Sequence, residues 1–166
     1  MSRKPLNIGV CGVGTVGLAT IEILRDHSET LLARSGQAML VSHVGARREH
    51  PNHDYGEARV SRDVFDVARD PDVDLLVELI GGTTVAHDLI KLAIQQGKHV
   101  VTANKAVIAL HGNELSRQRL RFEAAVAGAI PIIQALQYGL VANQFSALSG
   151  IINGTCNYML SAMESE

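Results

Sequence analysis

Three glycines, Gly12, Gly14 and Gly17, stand in the pattern G-x-G-x-x-G between an apolar run, Leu6 to Val10, and a stretch of helical character opening at Thr15. Each glycine has a mechanical task. The first permits a tight turn, the second lets a pyrophosphate approach the backbone, and the third lets helix and strand pack closely. The helix start adds free N–H groups and a partial positive charge for phosphates. Gly12-Val13-Gly14-Thr15-Val16-Gly17 is therefore expected to cradle a dinucleotide, its strand–turn–helix setting weighing against a ligand-free glycine turn. The next apolar run, Met39 to Ala46, ends in Arg47-Arg48. An acid at that place accepts a hydrogen bond from the ribose 2′-OH of NAD. Here Glu49 comes only after both arginines. Two guanidinium groups fit a 2′-phosphate, which takes charge-assisted, often bidentate hydrogen bonds. NADP(H) is expected to be preferred over NAD(H), against the plainer reading of a solvated basic loop.

Two further segments follow apolar runs. Gly81-Gly82-Thr83-Thr84 comes after Leu75 to Ile80, and Ala103-Asn104-Lys105 after Lys98 to Thr102. Ligands of open parallel sheets bind beyond the carboxyl ends of the strands. Gly82 and Thr83 are thus expected beside the cofactor. Lys105 is expected to face the nicotinamide, where it can hydrogen-bond substrate or move a proton. The remaining reactive side chains offer less. His50 and His53 lack the further ligands zinc needs. Cys11 reads as a small buried residue and Cys156 has no nucleophile setting.

The elements that must position these residues alternate. Strands are expected at Leu6–Val10, Met39–Ala46, Leu75–Ile80, Lys98–Thr102 and about Arg121–Ala125. Helices are expected from Thr15 to about Leu32, on a face with Val16, Ala19, Ile23 and Leu24, then from a Ser61 cap to about Ala68, from Val85 to Gln96, and from about Ile130 to Leu140. This alternation implies an α/β fold, a doubly wound parallel sheet of the Rossmann type. The dinucleotide domain is read as residues 1–140. Residues 141–166, with a strand-like Phe145–Ile152 and a helix-like Asn157–Glu164, read as the start of a second domain, and the chain as part of a longer protein. The 166 residues are 46% hydrophobic and 19% charged, which excludes general disorder. A net charge of -2 gives no reason to expect nucleic acid. Two distant cysteines make no disulfide framework, and no run approaches the ~18 apolar residues of a membrane span. A cytoplasmic protein is expected.

Four ordered blocks go further: Val77-Glu78-Leu79-Ile80-Gly81-Gly82, Gly97 to Ala106, Phe122 to Ile133, and Gly150 to Tyr158. Together they resemble homoserine dehydrogenase. The resemblance implies NAD(P)H-dependent interconversion of L-homoserine and L-aspartate 4-semialdehyde, a step towards threonine, methionine and isoleucine, in a homodimer when full-length. It implies that Lys105 is an active-site lysine and that Gly154 and Thr155 lie beside nicotinamide and substrate. It also implies a sodium ion at Glu123, Val126, Gly128 and Ile130, held largely by main-chain carbonyls. Cys156 stands where the family is expected to have threonine. The family's substrate-holding acids and second lysine belong to later sequence, so these 166 residues are expected to be inactive alone. The competing reading is a non-catalytic NADP-binding module for sensing or interaction.

Overall fold

The computed structural model describes residues 3–48, 52–116, 118–151 and 153–165. Six parallel strands make one sheet. In chain order they are β1 (Leu6–Cys11), β2 (Met39–Gly45), β3 (Arg59–Ser61), β4 (Leu75–Glu78), β5 (His99–Thr102) and β6 (Leu120–Arg121). Their spatial order is β3-β2-β1-β4-β5-β6, all pairs parallel. Strand order reverses between β1 and β4, which opens a crevice beyond their carboxyl ends.

Alternate residues of the central strands pack on opposite faces. Ile8, Val10, Val44 and Val77 share one core with Ile21 of α1 (Thr15–Asp26). Cys11, Leu76 and Val100 share the other with Val67 of α3 (Val64–Arg69), Leu89 and Ile90 of α4 (Thr84–Gln95), and Val107 of α5 (Lys105–His111). Each fully buried aliphatic side chain stabilises by roughly 1.5–3 kcal/mol. The layers are thus those expected, and the sheet has one strand more.

That extra strand, β3, lies where no strand is expected and ends at the residue expected to cap the next helix. Ser61 ends β3 instead of capping α3. Its hydroxyl lies 2.7 Å from His43 Nε2, and Asp63 takes the cap by accepting the Phe65 N–H at 2.9 Å. The long first helix is also two. α1 stops at Asp26, and α2 (Ser28–Ser35), which has no buried residue, ends at Gly36 in the left-handed conformation. The buried stripe of α1 is Gly17 and Ile21, while Val16 and Ile23 are 59% and 55% exposed. The close packing of Gly17 turns that stripe towards the sheet.

The last strand expected, Arg121–Ala125, is only Leu120–Arg121 before a 3-10 turn at Glu123–Ala125. Ile132–Gln134 (α6) runs into a wider π turn over Ala135–Gly139 in place of a regular helix. Residues 145–151 form no strand, since no neighbouring strand is there to take their hydrogen bonds. Ile152 lies outside the described residues. A helix, α7 (Gly154–Ser165), begins earlier than expected because Asn153 accepts the Cys156 N–H at 2.9 Å. From residue 137 on, the described side chains are exposed.

A buried polar cluster holds α3 to β2 at the rim opposite the crevice. His43, 1% exposed, has Nδ1 2.7 Å from Asp70 Oδ2. Arg59 also donates to Asp70. Burial alone would raise the Asp70 carboxyl, but hydrogen bonds from the Asp72 N–H and His43, with the Arg59 charge, hold it below the usual carboxylate range. Lys98 Nζ, also buried, donates to the carbonyls of Asp70 at 2.5 Å and Val73 at 2.7 Å.

Candidate nucleotide site

The glycine loop divides its tasks as the spacing suggests. Gly12 has φ 96°, and a Cβ there would lie 2.6 Å from the Leu79 carbonyl oxygen. A Cβ on Gly17 would lie 1.9 Å from the Gly12 carbonyl oxygen. Both positions exclude any side chain because backbone occupies the space. Gly14 differs: it has an ordinary φ of -70°, and a Cβ there would meet nothing within 4 Å. The middle glycine therefore borders open space, as approach of a pyrophosphate requires. Main-chain bonds gather the strand ends around this loop. Gly12 N–H donates to Gly45 at 3.0 Å and Leu79 N–H to Cys11 at 2.8 Å.

Helix starts at this rim fall into two kinds. Asp63 caps α3, and Asn104 caps α5 by accepting the Val107 N–H at 3.2 Å. α1 starts at Gly14 and α4 at Thr83 with no side-chain cap. Their first N–H groups remain available, which at α1 suits a phosphate.

Arg47 and Arg48 follow the end of β2, both exposed. A third arginine joins them. Arg62 Nη1 donates to the carbonyls of Ala46 at 3.2 Å and Arg48 at 2.9 Å. It braces the segment that carries the pair, a task that could have been read from sequence only by placing β3 beside β2. Glu49 lies outside the described residues.

Between β4 and β5 a chain of hydrogen bonds positions the start of α5. Glu78 is fully buried; Oε1 accepts the Ile80 N–H at 2.9 Å and Oε2 accepts the Thr102 hydroxyl at 2.5 Å. Thr102 Oγ accepts the Asn104 N–H at 2.9 Å, and Asn104 Nδ2 donates to Gly82 at 2.7 Å. Gly81 and Gly82 are both left-handed, φ 71° and 72°, and the Gly82 carbonyl accepts from Asn104. Lys105, next in sequence, is the first residue of α5 and is exposed at the rim. Glu78 and Asn104 escaped the sequence reading, although an acid ending an apolar strand was a legible signal.

The other predicted positions stand apart. Cys11 is buried, its thiol pushed up by burial and then by Glu78 and Asp63, so it is no nucleophile. Glu123 is occupied in capping α6, accepting the N–H groups of Ile133 at 2.9 Å and Gln134 at 2.7 Å. Beyond it Ala127 and Gly128 are both left-handed, φ 55° and 61°, so the chain turns sharply between Val126 and Ile130. Gly154 and Thr155 open α7, exposed and bonded only locally among the described residues. A hollow of about 450 Å³ lies elsewhere, between α1 and β2.

Residues 12–130 match the family model described as homoserine dehydrogenase, NAD binding domain, and residues 131–166 match that of homoserine dehydrogenase. The chain belongs to the homoserine dehydrogenase family. The homoserine dehydrogenase of Pseudomonas aeruginosa is 50% identical over 96% of this chain and 38% of its own length; that of Neisseria gonorrhoeae is 44% identical with the same coverage. The crystal structure of a homoserine dehydrogenase from Thiobacillus denitrificans superposes with a TM-score of 0.91 at 42% identity, covering all of this chain and 40% of that one. The chain therefore spans about two fifths of the length of relatives in this oxidoreductase family. Among the described residues, no helix is long and apolar enough to cross a membrane.

Proposed function

We propose that this chain is the nucleotide-binding part of an NADP(H)-dependent homoserine dehydrogenase that interconverts L-homoserine and L-aspartate 4-semialdehyde. The observation that carries the reading is one rim holding four things: the open face of Gly14, the uncapped start of α1, the Arg47-Arg48 pair braced by Arg62, and Lys105. The bound cofactor supplies or accepts the hydride. The chain's residues do the rest. Gly14 and the first N–H groups of α1 receive the pyrophosphate. Arg47 and Arg48 receive the 2′-phosphate, and Gly82 and Thr83 close on the cofactor's other side. Lys105 holds the substrate oxygen and takes part in its proton transfer, with Glu78, Thr102 and Asn104 fixing the backbone from which it projects.

Several assignments rest on family likeness, with local support. Gly154 and Thr155 lie on the substrate side. By the same likeness the carbonyls of Glu123, Val126, Gly128 and Ile130, oxygen donors that suit a hard cation, would hold a sodium ion near the left-handed turn at Ala127-Gly128. The full-length enzyme is a homodimer. The exposed apolar side chains Val141, Leu148, Ile151, Leu160 and Met163, each 66–74% exposed, support further protein covering residues 141–166 as part of a second domain. Two unpaired thiols suit the cytoplasm.

The test is titration of the chain with NADPH and NADH by calorimetry. NADPH is expected to bind more tightly. Replacing Arg47 and Arg48 together by Ala should weaken NADPH by ~1.5–3 kcal/mol, roughly 10- to 150-fold, and leave NADH nearly unchanged. Equal losses for both cofactors would remove the 2′-phosphate assignment.

A further inference from the structure

Three side chains outside the crevice converge between α4 and α5. His87 lies in the first turn of α4, His111 ends α5, and Glu114 follows three residues later. The two imidazoles stack, with ring centroids 4.2 Å apart and planes 28° from parallel. His87 Nε2 stands 3.8 Å from Glu114 Oε2, and His111 Nδ1 stands 3.6 Å from Glu114 Oε1. One ligating atom from each of the three lies within 4.8 Å of the other two. These gaps exceed hydrogen-bond lengths, so the groups face one another without bonding. His111 Nδ1 is buried and has no hydrogen-bond partner, a condition that buried ring nitrogens seldom tolerate.

The donor set and its spacing describe an ion. Bonds of about 2.0–2.2 Å from a tetrahedral Zn²⁺ place neighbouring ligand atoms roughly 3.3–3.6 Å apart; here each histidine nitrogen lies 3.6–3.8 Å from one of the two Glu114 oxygens, and one atom from each residue falls within 4.8 Å of the others, so a small inward movement closes the set on an ion. Two imidazole nitrogens and one carboxylate suit Zn²⁺ or Co²⁺ better than Mg²⁺ or Ca²⁺, which prefer oxygen. The other nitrogen of His87, Nδ1, lies 3.4 Å from Asp88 Oδ1. The histidine side chains are 15% and 30% exposed and Glu114 is 65% exposed, so an ion can enter from the carboxylate side.

We propose that His87, His111 and Glu114 bind one borderline divalent transition-metal ion, with Zn²⁺ foremost and water completing its coordination, and that the ion clasps α4 to α5. Both helices start at the crevice, α4 after Thr83 and α5 with Lys105, and the clasp ties the first turn of α4 to the end of α5. The proposal does not depend on which nicotinamide cofactor the chain takes. Binding requires the imidazoles unprotonated, so affinity falls as pH falls.

The experiment titrates the 166-residue chain, carrying Cys156→Ser to remove the exposed thiol, with ZnCl₂ in excess Mg²⁺, and follows Co²⁺ by its visible absorption. The expected result is one Zn²⁺ per chain, a tetrahedral Co²⁺ band, and a metal-dependent rise in melting temperature. His87→Ala and His111→Ala should each weaken binding by more than the roughly 10- to 100-fold that loss of a supporting hydrogen bond costs. Glu114→Gln, a change at an exposed carboxylate, tests the site should either histidine variant fail to fold. Absence of the Co²⁺ band overturns the proposal. So does Zn²⁺ binding unchanged by Glu114→Gln and by the folded histidine variants, which would place the ion elsewhere.

Discussion

At the residue scale, Gly14 and Gly17 are expected to separate binding from folding. Both belong to one motif, yet a methyl group added at Gly14 meets open space while one at Gly17 meets the Gly12 carbonyl oxygen at 1.9 Å. Gly14→Ala should change stability by about 1 kcal/mol or less, the scale of a helix-cap substitution, yet weaken cofactor binding measurably. Gly17→Ala should lower the denaturation midpoint strongly, because backbone must move. Urea unfolding and NADPH titration of the two variants check this, and similar stability losses in both would contradict it. Lys105 gives a second test. It is exposed at the first position of α5 and bears no packing role. In the full-length protein, Lys105→Ala should reduce turnover by about 100-fold or more, the scale of a positioned proton-transfer group. Its melting temperature should hardly move, as surface substitutions usually stay within about 0.5 kcal/mol. Full turnover in the variant would count against its place at the reacting atoms.

At the element scale, two buried polar arrangements do different work. The Glu78–Thr102–Asn104 chain joins β4, β5 and α5 at the crevice. The His43–Asp70–Arg59 cluster joins β2, α3 and β3 at the other rim. The second makes stability depend on pH. The carboxyl of Asp70 is held below its ordinary value, so its contribution is present above the unfolded value of about 3.9 and is lost as pH falls through the folded one. Asp70→Asn should cost ~1–3 kcal/mol at pH 7, since it takes an ionic acceptor from buried His43 and from Arg59. The gap between wild type and variant should narrow as pH falls below about 4. Urea midpoints measured at neutral and acid pH decide it; a gap independent of pH would show that the charge on Asp70 is not what stabilises the cluster.

At the scale of the whole molecule, cofactor binding and turnover are expected to part company. The rim proposed to receive the dinucleotide is assembled from residues 12–105, whereas the chain covers 38% of the Pseudomonas aeruginosa relative. Holding reactants in place supplies ~7–11 kcal/mol of barrier lowering. Lys105 is exposed, and so are the described side chains from residue 137 on, so no second wall covers the lysine among the described residues. The 166-residue chain should therefore bind NADPH but not oxidise L-homoserine with NADP. Its exposed apolar surface from Ile130 to Met163 should make it self-associate as concentration rises. Absorbance of reduced nicotinamide and sedimentation at several concentrations test both. Turnover near that of an intact dehydrogenase would mean that these residues build a complete active site.

The amino-acid sequence by itself determined the doubly wound sheet, the glycine loop and the carboxyl-end placement of Gly82, Thr83 and Lys105. Those follow from local signals: apolar runs of strand length, glycines where side chains cannot fit, and helix periods between them. What needed the tertiary structure was pairing across sequence distance. β3 exists because Arg59–Ser61 lies beside His43–Gly45, and Arg62 braces Arg47-Arg48 only because of that pairing. Glu78 meets Thr102 because β4 and β5 are adjacent in register. Of the face expected for α1, Leu24 packs on the core while Val16, Ala19 and Ile23 are exposed, because apolar residues surround the helix and the approach of Gly17 to Gly12 selects which side is buried. Residues 145–151 read as a strand from their own side chains, but a strand is made by its partner, and none of the six strands pairs with them.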